Sequence, residues 1–201
     1  IINTDSIRHN IEMLENLTQA LDQYYASNYK EAFVKFNTAA SLGSSAAYYY
    51  LGELTFNGMG TVENEEKAKD FTEKSLEMGF GMANWRMAQI YEDGLAEVEI
   101  NQKLADEYYL KAIESLKILA ENGDPEAQGN LASMYDGGNG IAQNSELAME
   151  WYLKAAKSDY VFMQVNLGIF YLLDEQLGNH SEANKWLTKA ADKGDSRAMF
   201  W

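Results

Sequence analysis

The feature that most constrains this chain is a cassette of residues that returns at nearly fixed spacing. Trp151-Tyr152-Leu153-Lys154-Ala155-Ala156 comes back 35 residues later as Trp186-Leu187-Thr188-Lys189-Ala190-Ala191. Looser copies precede them, beginning at Phe71 and at Tyr108. In each copy an alanine stands three residues before the aromatic (Ala68, Ala105, Ala148, Ala183) and a lysine three after it (Lys74, Lys111, Lys154, Lys189). Upstream of each copy a large apolar residue is paired with a tiny one: Leu51-Gly52, Met87-Ala88, Leu131-Ala132 and Leu167-Gly168. Four residues before each pair come Ala47, Ala83, Ala127 and Met163; four after its first member come Thr55, Tyr91, Tyr135 and Tyr171. Spacings of three and four put such residues on one helical face.

The unit is therefore helix A, loop, helix B, with a period near 36 residues. One helix pair cannot bury its own apolar face, so successive pairs must stack. This predicts an all-α fold, a right-handed superhelical α/α solenoid of antiparallel helix pairs. A glycine inside a helix costs about 1 kcal/mol relative to alanine. Its use at Gly52 and Gly168 points to close approach of a neighbouring helix.

Read with its loops, the cassette resembles a known family. Ala47-x-x-x-Leu51-Gly52, Gly58-x-Gly60, Lys67-Ala68 and the closing Gly79 match the Sel1-like repeat, a relative of the tetratricopeptide repeat. Ala127-x-x-x-Leu131-Ala132-x-x-Tyr135, Gly138-x-Gly140 and Ala148-x-x-Trp151-Tyr152-x-Lys154-Ala155-Ala156 match it more fully. The resemblance covers about residues 44–201 and is specific because the whole cassette recurs in register. It implies one repeat domain, 1–201, with repeats at 44–80, 81–124, 125–160 and 161–195 and the start of a further helix at 196–201. Residues 1–43 read as an irregular tetratricopeptide-like first helix pair. There Asp5 or Ser6 is the expected N-cap, and Ile11, Leu14, Leu17 and Leu21 are expected to face inward.

Departures from the repeat are informative. The step from Ala83 to Ala127 is 44 residues, and seven of the extra ones follow Ala112, where the helical pattern continues. That is about two turns, or roughly 10 Å of added helix. The two helices of the second repeat are joined without Gly-x-Gly, through Asp93 to Asn101. The loop of the fourth repeat, Asp174 to His180, is one residue short.

Composition excludes several function classes. Asp and Glu outnumber Lys and Arg by 31 to 16, a net charge of −15. That disfavours nucleic acid and anionic membrane surfaces as partners. No apolar run approaches the roughly 20 residues of a spanning helix, so membrane insertion is not expected. Without cysteine there is no thiol nucleophile and no thiolate zinc site. The first residue is Ile1, not Met, which suits a fragment, a trimmed chain or a mature chain, in the bacterial periplasm after leader removal or in the cytoplasm.

No catalytic constellation stands out. Gly137-Gly138-Asn139-Gly140 lacks the Lys-Ser/Thr of a phosphate loop and matches the connector at Gly58-Met59-Gly60. His9 and His180 are far apart and fit no ligand spacing. The acidic clusters lack the order of a calcium loop. No catalytic residue, metal ligand or cofactor is expected, and the chain reads as not an enzyme. Phe71, Tyr108, Trp151 and Trp186 are expected in the core, with the lysines snorkelling beside them.

The resemblance also implies a binding face, since helix A lines the concave side of tetratricopeptide-like solenoids. The positions left free on helix A carry Tyr49, Trp85, Gly129 and Val165; then Glu53, Gln89, Ser133 and Ile169; then Phe56, Glu92, Asp136 and Leu172. Tyr49, Glu53, Phe56, Trp85, Gln89, Glu92, Ser133, Asp136 and Ile169 are the expected partner-binding residues. For Tyr49 and Trp85 the alternative is packing between adjacent helices. Such a face suits a basic protein or peptide. The expected function is a non-enzymatic scaffold or adaptor; an immunity protein that neutralises a cognate toxin is the alternative.

Overall fold

The computed structural model describes residues 4–195 together with Arg197 and Ala198. The further helix expected at 196–201 thus lies outside the described residues, apart from those two. Among the described residues there are ten α-helices and no strand. They are α1 (Thr4–Tyr25), α2 (Tyr29–Ser41), α3 (Ser45–Phe56), α4 (Glu65–Glu77), α5 (Ala83–Asp93), α6 (Gln102–Glu121), α7 (Pro125–Gly137), α8 (Ser145–Ala156), α9 (Val161–Leu173) and α10 (His180–Asp192). Short loops pair them as antiparallel neighbours: α1 on α2, α3 on α4, α7 on α8 and α9 on α10. This is the helix-pair architecture of an α/α solenoid. The chain divides into two units, residues 1–108 and 109–201, with the division inside α6.

Of the A helices, α3 and α7 start on side-chain caps. Ser44 and Asp124 cap α3 and α7 by accepting from the amides of Ala47 and Ala127. Pro125 opens α7, where its missing N–H leaves no bond unmade. The B helices start in one repeated way. Asn64, Asn101 and Asn144 each accept, through the side-chain oxygen, from the amide three residues on. Asn179 accepts from the amides of Ser181 and Glu182. The backbone N–H of the same asparagines donates to the carbonyls of Thr55, Tyr91, Tyr135 and Tyr171, at 2.8–3.0 Å. One residue type thus ties the start of helix B to the end of helix A, whatever loop lies between.

Glycine is required where backbones touch. Gly60 and Gly140 adopt φ of +69° and +66°, and a Cβ there would collide with the Tyr29 backbone or with Tyr109. At Gly168 a Cβ would press on Leu187 of α10, with its nearest carbon at 2.6 Å. The tiny residue is what lets the two helices pack.

In the first unit the core joins α1, α2 and α3 through aromatics. Tyr24 meets Tyr50 edge-on and Phe36 stacks on Tyr50, both at 5.0 Å between centroids. α1 corrects two expectations, the first being that Asp5 and Ser6 lie within the helix and are not its N-cap. Leu17 and Leu21 are half-buried, but Ile11 and Leu14 are 51% and 54% exposed, because the inward face of the helix runs through Met13, Ala20 and Tyr24 instead.

In the second unit, α6 accommodates the inserted residues. It has 20 residues, against 13 in α4 and α10. The extra turns bury Leu116 and Ala120 and leave Ile118 exposed. Gln128 and Gln164, each one residue after a helix A marker, donate from Nε2 to the carbonyls of Ala120 and Ala156, at 3.0 and 3.3 Å. Each reaches back from the start of one repeat to the last turn of the preceding helix B.

The recurring aromatics are not the deepest residues. Phe71, Tyr108, Trp151 and Trp186 are half-buried, whereas the next residue of each cassette, Thr72, Tyr109, Tyr152 and Leu187, is buried. The tryptophans lie at the edge of the core under cations: Lys154 Nζ sits 3.7 Å from the Trp151 centroid and Lys189 Nζ 5.4 Å from that of Trp186.

Candidate functional site

In the first unit most of the expected binding positions are drawn inward. Tyr49 is fully buried, edge-on to Tyr50 and tilted against Phe80. Trp85 is 4% exposed. These two follow the packing alternative, not the open face. Glu53 is also buried, and its carboxylate accepts two bonds from Arg86 of α5, from Nε at 2.7 Å and from a terminal guanidinium nitrogen. The ring of Phe56 lies 4.5 Å from the Arg86 guanidinium carbon. Glu53, Arg86 and Phe56 therefore form a closed, neutral cluster. Glu53 is thus engaged inside the fold and does not present its carboxylate to an open binding face. Gln89 and Glu92 are half-buried.

The second unit is different. Between α7 and α9, beside the loop that precedes α8 and the one that follows α9, lies a cleft of about 860 Å³. Ser133, Asp136 and Ile169 all line it. Residues not singled out from the sequence complete it: Asn166, Phe170 and Leu173 along α9, Asp174 and Glu175 after it, Tyr152 and Glu146 on α8. The spacing of Ser133 and Asp136, and of Asn166, Ile169 and Leu173, puts each set on one side of its helix. That periodicity was present in the sequence. What it could not show was that the shortened loop after Leu173 would bring Asp174 to the same cleft.

The electrostatics of the cleft are lopsided. Among its described lining residues are four carboxylates, of Asp136, Glu146, Asp174 and Glu175, and no lysine or arginine. Asp174 is held in its charged form. Burial pushes its carboxyl up, but hydrogen bonds from the Leu177 amide, the Ser145 hydroxyl and the Gln176 amide outweigh this and leave it below the ordinary carboxylate range. Asp136 moves the other way: partial burial, and then repulsion from Asp174, raise its carboxyl. Burial also drives up the Tyr152 phenol, with Asp136 adding to the rise and a hydrogen bond with Ser133 opposing it. The result is an anionic pocket with an apolar wall at Ile169 and Leu173, the latter 65% exposed.

No group of three or more histidine or acidic side chains among the described residues is placed to hold a metal ion. No helix among them is long and apolar enough to cross a membrane.

Stacked helix pairs with a side cleft define a helical-repeat protein. The Sel1 repeat model matches residues 45–80, 81–115, 125–160 and 161–195, and the chain belongs to the Sel1 repeat family. Sel1 repeat proteins are generally scaffolds for protein–protein interaction. Over 181 residues the chain is 31% identical to the chitin synthase regulator SKT5 of Saccharomyces cerevisiae, covering 84% of this chain and 25% of that protein. It spans about a quarter of the length of the curated relatives it matches. A Sel1 repeat protein of Klebsiella pneumoniae shares the fold with a TM-score of 0.53 at 16% identity, over 98% of this chain and 94% of that one. An immunity protein of Pseudomonas aeruginosa gives a TM-score of 0.47 at 20% identity, over 90% and 69% of the two chains.

Proposed function

We propose that the chain is a non-enzymatic docking module that captures a basic protein partner through the acidic cleft of its second unit. The cleft between α7 and α9 is the supporting observation. It is concave, has an apolar wall, and carries four carboxylates with no lysine or arginine among its described lining residues. Long-range attraction to a basic segment would speed encounter, and the apolar wall would hold the complex. The overall charge of −15 works in the same direction and against a nucleic-acid phosphate backbone. The 31% identical relative is a chitin synthase regulator, which is in keeping with action upon another protein.

Affinity capture from the native organism, with the wild type and the Asp136→Lys variant in parallel, tests this reading. Proteins retained by the wild type and lost from the folded variant are expected, and their retention should weaken as salt rises from about 50 to about 500 mM. Partners that bind both forms equally and ignore salt would refute it. A single toxin among the captured proteins would favour the inhibitor form of the module over the adaptor.

A further inference from the structure

The cleft carries more than a general preference for basic surfaces. Its apolar wall and its carboxylates are arranged around one kind of side chain. Ile169 and Leu173 stand one turn apart on α9, and Leu173 is 65% exposed although it ends a strongly apolar helix. Asp174 follows directly. Its Oδ1 is anchored by the amides of Gln176 and Leu177, at 2.9 and 2.6 Å, which fixes the carboxylate at the rim. Across the cleft, Asp136 is half-buried on α7, one helical turn from Ser133.

A half-buried carboxylate facing a second, fixed one is costly unless a cation joins them. Elsewhere in this chain that cation is built in. Buried Glu53 has Arg86. In the cleft it is absent among the described lining residues. A metal ion is a poor candidate, because no three suitable ligands converge among the described residues. A lysine or arginine side chain matches both parts of the site: an alkyl stem for the apolar wall and a charged head for the carboxylates.

We infer that the cleft holds a single-residue subsite, in which a partner's lysine or arginine lays its stem along Ile169 and Leu173 and places its cation between Asp136 and Asp174. This rests on reading the cleft as the docking surface, and it adds which residue of the partner enters and where. Ser133 and Asn166, polar and half-buried on the two helices, flank the head group.

The test needs no known partner. The isotope-labelled chain is titrated with Nα-acetyl-arginine amide, Nα-acetyl-lysine amide and the uncharged Nα-acetyl-norleucine amide, followed by amide chemical shifts. The two cationic probes are expected to move the signals of Ser133, Asp136, Asn166, Ile169, Leu173 and Gln176. Norleucine amide should leave them nearly unmoved. Asp136→Asn should weaken the cationic probes by about tenfold, the loss expected when one charge-assisted hydrogen bond goes. Asp136 is preferred to Asp174 for the variant because Asp174 also holds its own loop. Equal shifts with norleucine amide, shifts scattered outside the cleft, or an unchanged response in Asp136→Asn would each overturn the inference. So would calcium chloride reproducing the arginine pattern at the same concentration. The two readings fail separately. Captured proteins that depend on the cleft while the cationic probes leave it unmoved sink the subsite alone. Probes that bind there while captured proteins ignore Asp136→Lys sink the docking role alone.

Discussion

Glu53 of α3 and Asp136 of α7 are both acids on a helix A, two and five residues past the large apolar residues Leu51 and Leu131 of their repeats, and their fates differ. Glu53 is met by Arg86 from the next helix A, roofed by Phe56, and taken out of contact with water. Asp136 is met by another acid, Asp174, across an open cleft. The same fold therefore uses one carboxylate to lock two repeats together and holds another in a state that a visiting cation would relieve. In this chain the residue presented by the following helix A decides whether the acid is closed in. Where that is Arg86 the pair closes. Where the facing positions are Asn166 and Ile169 the cleft stays open.

The largest effect is expected in the first unit. Glu53→Ala or Arg86→Ala leaves an uncompensated buried charge, which costs about 3–5 kcal/mol. Thermal or denaturant unfolding should show a large loss for either single variant. Glu53→Leu combined with Arg86→Met should recover much of it, since an apolar pair is often an adequate replacement. Full stability in Glu53→Ala would mean the cluster is not a lock.

The connectors come next. Gly60→Ala and Gly140→Ala place a Cβ against α2 and α6 respectively, at a left-handed φ. Each should cost about 1–3 kcal/mol by crowding and backbone strain, read as a lower denaturant midpoint. Removing a cap is milder. Asn144→Ala should cost about 1 kcal/mol, and because Asn144 opens the helix that borders the cleft, hydrogen exchange should rise at the start of α8 and not in the first unit.

The smallest effect has the opposite sign. Partial burial and the neighbouring Asp174 raise the Asp136 carboxyl in the folded state, and Glu146, Glu175 and the Tyr152 phenol line the same cleft. The folded chain then holds that proton more tightly than the unfolded chain. The associated stability is fully present below the ordinary aspartate range and is lost as pH rises through the raised value. Asp136→Asn should therefore stabilise the protein slightly at neutral pH, and the gain should vanish in acid. A variant less stable than the wild type at neutral pH would show that Asp136 is held by a bond and not left for a partner.

Much of the helix pairing was legible from the cassette, because burial imposes the same spacings in every repeat. Less legible was which residue of the cassette goes deepest. Trp151 and Trp186 are the conspicuous letters, yet Tyr152 and Leu187 occupy the core, since a large ring with a lysine three residues later can sit at the boundary under its cation. The asparagine four residues before Ala68, Ala105, Ala148 and Ala183 was present in all four copies and marks the true start of helix B. The lining of the cleft was only partly readable. Ser133, Asp136 and Ile169 line one cleft, while Tyr49, Glu53 and Trp85 are buried, because periodicity reports which side of a helix a residue occupies and not what the next helix sets against it.

On the docking role proposed above, partners enter the cleft of the second unit and leave the Glu53–Arg86 cluster untouched. Hydrogen-exchange footprinting of the chain with a captured partner tests this directly. Protection is predicted at 133–146 and 166–176, with α3 and α5 unchanged. Protection over 49–56 and 85–92, with the cleft exchanging as in the free chain, would contradict it.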